Sequence, residues 1–162
     1  YITTPIIMGL FEKHVPLLSV TVMVQKEVAQ RIAAAPGTGD YGAFSVFCQY
    51  YTEPELLFDV PPSCFLPQPK VTSAVVTLRR RAERPWDVAD QDIYFRAVRS
   101  SFAMRRKKLS NGLASGFPEL GKQGAEDVLR VCGFPENVRG ETLGIPEFAL
   151  IANEIVRRRE AK

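Results

Sequence analysis

The sequence is poor in the residues that build metal centres and hydrolytic triads. It contains one histidine, His14, and three cysteines, Cys48, Cys64 and Cys132, which are far apart and lack CxxC spacing. The small number and wide spacing of these residues argue against a zinc site, a disulfide framework and a Ser-His-acid triad. We therefore expect no metal, and ordinary packing is the simplest role for the cysteines.

Long apolar runs are also missing. No stretch approaches the roughly 18 to 20 uncharged apolar residues that a membrane span needs. The opening segment, YITTPIIMGLFEKH, lacks the basic flank and the small-residue cleavage site of a signal peptide. We therefore expect a cytoplasmic protein that has no membrane partner.

Acidic residues are absent from one stretch in the second half of the chain. Six bases and no Asp or Glu lie between Ile93 and Pro118, although the net charge of the whole sequence is only +3. A local positive field on a balanced chain suggests a polyanionic partner. A solvated helix face remains the alternative explanation.

The first half of the chain has the pattern of an α/β protein. IIMGLFEKH and KEVAQRIAAA predict helices, and SVTVMV between them predicts a strand buried on both faces of a sheet. AFSVFCQYY, ELLFDV and VTSAVVTL predict three more strands, in a short meander at the end of a mostly parallel sheet. No glycine-rich strand-to-helix turn precedes them, so we expect an N-terminal truncation that exposes strand edges and promotes self-association.

The second half of the chain has helical periodicity. The polar segment RRRAERPWDVADQ suits a linker. Four helical patterns follow it, in DIYFRAVRSSFAM, KKLSNGLAS, AEDVLRVCG and PEFALIANEIVRRR. We predict a first domain over residues 1–82, a linker over 83–90 and a helical domain over 91–162.

Three motifs are candidates for function. In FLPQPKVTSAVV the prolines predict a rigid arm, on which Phe65 could stack on a planar ligand and Lys70 could meet a phosphate. Gln25, Lys26 and Glu27 follow a predicted buried strand, where open α/β sheets place their ligands. Four consecutive bases, residues 105–108, predict contact with RNA or DNA phosphates. The alternatives are a stiff connector with Phe65 in the core, and a surface ion pair between Glu27 and Arg31.

Five segments together resemble one family. They are YITTPII, VMVQKEVAQRI, FLPQPKVTSAVV, the SFAMRRKKL segment downstream of Phe95, and RGETLGIPEF. In this order they resemble the C-terminal part of the small-subunit ribosomal RNA adenine dimethyltransferases. The resemblance implies an α/β fold, in which the C-terminal part of a Rossmann-like methyltransferase sheet precedes a small all-helical domain. It also implies an enzyme that uses S-adenosyl-L-methionine to dimethylate N6 of two adjacent adenines near the 3′ end of small-subunit ribosomal RNA, during ribosome biogenesis.

The resemblance assigns roles to the residues of the three motifs. Phe65 is expected to stack on the flipped target adenine. The residues expected to shape or support the site are Gln25, Lys26, Glu27, Arg31, Pro67, Pro69 and Ser73. The residues expected to bind RNA, in the small-subunit precursor, are Lys70, Arg105, Arg106, Lys107 and Lys108.

The family's Asn-Leu-Pro-Tyr motif, which holds the target amine, is expected just before this chain. Ile2, Thr3, Thr4 and Pro5 match the residues that follow that motif, which makes Tyr1 its variable neighbour. The cofactor-binding residues are expected further upstream, with none in this chain. The chain by itself is therefore expected to be inactive.

Two other functions stay open at this point. One is a macrolide-resistance type of methyltransferase, which modifies an adenine of the large-subunit RNA. The other is a non-catalytic RNA- or DNA-binding relative. The SFAMRRKKL and RGETLGIPEF segments favour the small-subunit type, and the complete FLPQPK arm favours an enzyme.

Overall fold

The computed structural model describes residues 3–162, so Tyr1 and Ile2, which the motif alignment uses, lie outside the described residues. The described residues form seven α-helices and three β-strands. In chain order these are α1 Thr3–Glu12, β1 Ser19–Gln25, α2 Lys26–Ile32, α3 Ala43–Tyr51, β2 Thr52–Val60, β3 Ser73–Arg80, α4 Gln91–Ala103, α5 Leu109–Gly116, α6 Gly121–Val131 and α7 Ile145–Glu160.

The described residues form two compact units. The first contains the described residues up to Ala35 together with Phe44–Arg84, and the second contains Pro36–Ala43 and Pro85–Lys162. Residues 36–43 fall inside the predicted first domain but group with the second unit. The predicted domain limits at residues 82 and 91 stay a prediction.

The sheet of the first unit has the strand order β1-β3-β2, and both pairings are antiparallel. The expectation of a mostly parallel sheet is therefore wrong for the described residues. The expectation that β1 is buried on both faces is also wrong, because Val24 is its only buried residue. The physical reason is that a strand is buried on both faces only where other elements cover both faces, and the described residues cover β1 less completely than the central strand β3, which buries Ala74, Val76 and Leu78.

One predicted strand of the first unit is a helix. AFSVFCQYY forms α3, and six of its nine residues are buried. A segment buried on most sides shows no clear helical period, and its aromatic and branched residues favour strands, so the sequence pattern was misleading. The other predicted strands and helices of this unit are present. A hydrogen bond of 2.6 Å from the Thr52 hydroxyl to the Cys48 carbonyl oxygen joins the end of α3 to β2.

The second unit contains the four predicted helices, α4 to α7. The Asp90 side chain caps α4 by accepting a hydrogen bond of 3.0 Å from the Ile93 N–H. Helix α5 lies close to α4, since a Cβ atom at Gly112 would be only 2.6 Å from the Ser100 carbonyl oxygen. Phe117 and Phe148 are fully buried in this unit.

These two units confirm the predicted fold class, a piece of an α/β sheet followed by a helical part. Within residues 3–162 no helix has the length and apolarity to cross a membrane. The same residues contain no group of three or more His, Cys, Asp or Glu side chains placed to hold a metal ion.

Candidate functional site

The segment that connects β2 to β3, residues 61–72, contains the predicted FLPQPK arm. This whole connection is called the arm from here on. It begins with a 3-10 turn, Pro62–Cys64, in which the Phe65 N–H donates a 3.2 Å hydrogen bond to the Pro62 carbonyl oxygen. The backbone of Phe65 is extended, with φ −119° and ψ 150°. The Leu66–Pro67 peptide bond that follows is cis. The turn and the prolines together define the backbone on both sides of Phe65.

The side chains of the arm are open to solvent to different degrees. The ring of Phe65 is half-buried, unlike the core rings of Phe11 and Phe117, which are at most 1% exposed. The structure therefore does not place Phe65 in the core. Pro67 and Lys70 are exposed, and Pro69 is half-buried. Lys70 forms no ion pair with any residue that the structure describes.

The motif after β1 contacts both ends of the arm through Lys26. The Lys26 ammonium group lies 2.8 Å from a carboxylate oxygen of Asp59, two residues before the arm begins. The backbone N–H of Lys26 donates a 2.9 Å hydrogen bond to the carbonyl oxygen of Thr72, the last residue of the arm. Gln25, the residue before Lys26, pairs with Ser73 in the sheet. The structure thus brings Gln25, Lys26 and Ser73 together at the base of the arm.

Glu27 and Arg31 have a different arrangement. The Arg31 guanidinium lies 3.3 Å from the Glu27 carboxylate, one turn away on α2, and both side chains are largely exposed. This is the surface ion pair that their spacing predicts, and such pairs contribute about 0.3–0.5 kcal/mol. The structure thus gives these two residues a local stabilising contact.

Two residues of this cluster, Asp59 and Thr72, are not among those that the sequence predicts. Asp59 is on strand β2, 33 residues from Lys26, which begins helix α2, and nothing in that spacing indicates a contact. An acidic residue directly before a Val-Pro-Pro segment is the one signal that could have suggested a link to the arm. Thr72 takes part through its backbone carbonyl group, which any residue type could supply.

The four consecutive bases lie between α4 and α5, in the second unit. Arg105 is engaged by its own chain, with Nε 2.9 Å from a Glu141 carboxylate oxygen and Nη2 3.1 Å from the Gly39 carbonyl oxygen. The Lys108 ammonium group lies 3.3 Å from the Glu136 carboxylate. Arg106 and Lys107 are exposed and have no ion-pair partner in the described part of the chain.

A basic cleft of about 490 Å³ contains three of these four bases. Two further cations, Lys122 and Arg139, also line it, so five bases face two carboxylates, Glu126 and Glu136. Amide and hydroxyl groups complete the lining, from Ser110, Asn111 and Asn137. An excess of cations in a concave surface concentrates positive potential and attracts anions. Lys122 and Arg139 could not be recognised as part of this cleft from the sequence, because they are far from residues 105–108 along the chain.

Comparisons with known proteins give consistent results. The family model described as ribosomal RNA adenine dimethylase matches residues 1–144. The chain is 46% identical over 157 residues to ribosomal RNA small subunit methyltransferase A of Lachnoclostridium phytofermentans, covering 96% of this chain and 54% of that protein. It is 49% identical over 155 residues to the protein of the same name from Listeria monocytogenes, covering 94% and 52%. The chain thus spans about half the length of the curated relatives it matches.

Two solved structures have a similar fold. A dimethyladenosine transferase from Plasmodium falciparum superposes with a TM-score of 0.82 at 22% identity, over 98% of this chain and 64% of that one. The 23S rRNA methyltransferase ErmE superposes with a TM-score of 0.63 at 25% identity, over 96% and 61%.

Proposed function

Because the chain belongs to the ribosomal RNA adenine dimethylase family, we propose that it is part of a methyltransferase acting on small-subunit ribosomal RNA. The proposed reaction transfers methyl groups from S-adenosyl-L-methionine to N6 of two adjacent adenines near the 3′ end of that RNA, within the small-subunit precursor in the cytoplasm. The observation that carries the proposal is the family match, which covers both the arm and the basic cleft. The chain spans about half the length of its relatives, so the activity is proposed for the longer protein.

The residues around the arm do not fit the cofactor. When bound, S-adenosyl-L-methionine supplies an electrophilic methyl group on a cationic sulfonium. Around the arm, Lys26 and Asp59 neutralise each other, and the exposed cation of Lys70 would repel the sulfonium. We therefore assign these residues to the RNA side of the proposed reaction.

The arm is proposed to hold the target base. Moving an adenine out of its stack costs a few kcal/mol of free energy, and stacking on an aromatic ring offsets about 1–3 kcal/mol of that cost. Phe65 suits this role because its ring is half-buried and its backbone is defined by the 3-10 turn before it. Lys70 is exposed at the other end of the arm, where its ammonium group can reach a phosphate. We propose that Pro67, Pro69 and Ser73 maintain the shape of this wall.

The basic cleft is proposed to bind the RNA backbone. Arg106 and Lys107 are the strongest candidates, because neither is neutralised by a described carboxylate. Arg105 has a mainly structural part in this proposal, since Glu141 and the Gly39 carbonyl group already occupy its guanidinium. Lys108 can exchange its exposed contact with Glu136 for a phosphate.

The test of base holding is a methylation assay with the longer protein that contains this chain. Phe65→Ala removes one stacking partner, so we expect kcat/KM to fall about 5- to 150-fold, the equivalent of 1–3 kcal/mol. Phe58→Ala is the matched control, since Phe58 is a 60% exposed phenylalanine on β2, outside the arm. Equal rates for the two variants would contradict the stacking role.

The substrate is tested in the same assay with isolated small and large ribosomal subunits. Methylation of the small subunit alone is expected. Methylation of the large subunit would instead support an activity like that of the 23S rRNA methyltransferase ErmE. RNA binding without methylation of either subunit would indicate a non-catalytic relative.

A further inference from the structure

A second cationic pocket lies in the first unit, at the opposite end of β3 from the arm. Its volume is about 260 Å³, and it has none of the residues assigned above to the arm or to the basic cleft. It is lined by His14, Tyr51, Arg80, Arg81, Ala82 and Arg84. Three of these six residues carry guanidinium groups, which is a high density of positive charge for so small a space.

Neutral groups position two of the three guanidinium groups. Arg80 donates a 2.7 Å hydrogen bond from Nη1 to the Val15 carbonyl oxygen. The guanidinium of Arg84 lies over two aromatic rings, 4.8 Å from the centroid of Tyr50 and 5.9 Å from that of Tyr51. Carbonyl oxygens and ring faces fix a guanidinium in place without cancelling its charge. Arg80 and Arg84 therefore keep their positive charge available to an anion.

The carboxylates near the pocket offset only part of this charge. Arg81 donates from Nε to the Gln49 carbonyl oxygen at 2.8 Å, and its Nη1 lies 3.2 Å from Glu53, whose side chain is 71% exposed. Glu12 acts electrostatically on Tyr51. Burial raises the pKa of Tyr51 to about 12, and the charges of Arg84 and Arg80 act in the opposite direction. Both guanidinium groups are therefore close enough to influence the same hydroxyl group.

We propose that this pocket binds a phosphate group. Guanidinium groups present several N–H donors in a planar fork that matches phosphate oxygens, and they are preferred where phosphate is recognised. Two fixed guanidinium groups, with the imidazole of His14 beside them, give a phosphate donors from more than one direction. The phosphate can come from an RNA backbone or from a free phosphate-bearing molecule. The pocket would be an anion site in addition to the proposed basic cleft.

The test uses Arg84→Gln. The contacts that the structure gives the Arg84 guanidinium are with the rings of Tyr50 and Tyr51, so this change removes the charge without breaking an ion pair. Arg79→Gln is the matched control: Arg79 is on the same strand as Arg80, loses the same charge and pairs with Glu55 outside the pocket. Arg84→Lys keeps the charge but loses the planar fork. Thermal melting without ligand first establishes that all three variants fold.

The first measurement titrates inorganic phosphate and follows the stabilisation of the protein against heat. We expect the wild type to bind phosphate and Arg84→Gln to weaken that binding about tenfold. Arg84→Lys is expected to fall between them, and Arg79→Gln to match the wild type. The second measurement gives the affinity for a single-stranded RNA at several salt concentrations. Loss of one phosphate contact lowers the slope of log K against log salt by about 0.7.

The two measurements distinguish the sources of the phosphate. A loss of phosphate binding together with a reduced RNA slope in Arg84→Gln supports an RNA backbone contact. A loss of phosphate binding alone supports a free phosphate-bearing ligand. The proposal is overturned if Arg84→Gln and Arg79→Gln behave alike in both measurements. That result would leave the proposed function intact, because the basic cleft is probed by a variant of another residue, Arg106→Gln.

Discussion

Adjacent bases in the segment 105–108 have very different surroundings. Arg105 is held by a carboxylate and by backbone carbonyl groups, whereas Arg106 is exposed and has no described ion-pair partner. A run of like charges in a sequence therefore does not describe four equivalent binding groups. The same contrast applies to the post-strand motif, the segment from Gln25 to Arg31 that follows β1. In this motif Lys26 contacts both ends of the arm, while Glu27 and Arg31 contact each other.

The RNA contacts can be separated residue by residue. We expect Arg106→Gln to weaken RNA binding and to lower its salt slope by about 0.7, because one phosphate contact is lost. Arg99→Gln is the control, since Arg99 is an exposed base of the same unit that does not line the basic cleft. Binding is measured by fluorescence anisotropy over a range of salt concentrations. An equal slope for the two variants would argue against the cleft as a phosphate site.

The three cysteines should differ in reactivity. The thiolate is the reactive form, so a raised pKa slows alkylation. Burial raises the pKa of the Cys48 thiol far above its usual value, and burial raises that of Cys132 to about 11. Cys64, in contrast, is exposed at the start of the arm. With iodoacetamide at pH 8 we expect Cys64 to react first, Cys132 much more slowly and Cys48 only after unfolding, as followed by peptide mass spectrometry. Early labelling of Cys48 would contradict the burial of α3.

At the level of elements, the arm depends on contacts made by its neighbours. It has one short turn of its own, and Lys26 contacts the chain on both sides of it. Exposed ion pairs such as Lys26 with Asp59 contribute little to global stability, about 0.2–1 kcal/mol. The same contribution is a larger fraction of the free energy that keeps a loop closed, because local opening requires much less free energy than global unfolding.

Lys26→Met should therefore loosen the arm without unfolding the protein. We expect faster amide hydrogen exchange in residues 61–72 and a melting temperature that changes by only a few degrees. Asp59→Asn should have the same effect. The double variant should add little more, because each single change already removes the same ion pair. Arg31→Gln is the control, since it breaks an ion pair of α2 that does not reach the arm. Protection of the arm that is unchanged in Lys26→Met would show that the ion pair does not hold it.

At the level of the whole molecule, the two units are not two consecutive stretches of chain. Residues 36–43 come from between α2 and α3, yet they group with the second unit. The buried hydroxyl group of Tyr41 donates a 2.7 Å hydrogen bond to the Leu143 carbonyl oxygen, and its ring packs edge-on against Phe102. In addition, the Gly37 N–H donates a 2.8 Å hydrogen bond to the Glu141 carbonyl oxygen.

Tyr41→Phe should accordingly destabilise the second unit although Tyr41 lies in the first third of the sequence. Loss of the hydroxyl group leaves a buried carbonyl group without this donor, which costs about 1–3 kcal/mol. Hydrogen exchange is expected to rise in α4 and α7 and to stay unchanged in β3. Tyr50→Phe, in the first unit, provides a comparison. Uniform destabilisation of β3 and α7 by Tyr41→Phe would contradict the grouping of residues 36–43.

The sequence by itself determined the fold class, four helices of the second unit and the strands β1, β2 and β3, because periodicity and proline placement act over short distances. It also identified the arm, the post-strand motif and the basic segment, since each is continuous in the chain. Tertiary structure alone decided that AFSVFCQYY is helical, that the described sheet is antiparallel and that β1 lies at its edge. It also decided that Asp59 meets Lys26, and that Lys122 and Arg139 join the basic cleft. The reason is the same in each case: burial, strand direction and charge pairing depend on residues that are distant along the chain, and local sequence patterns do not identify those partners.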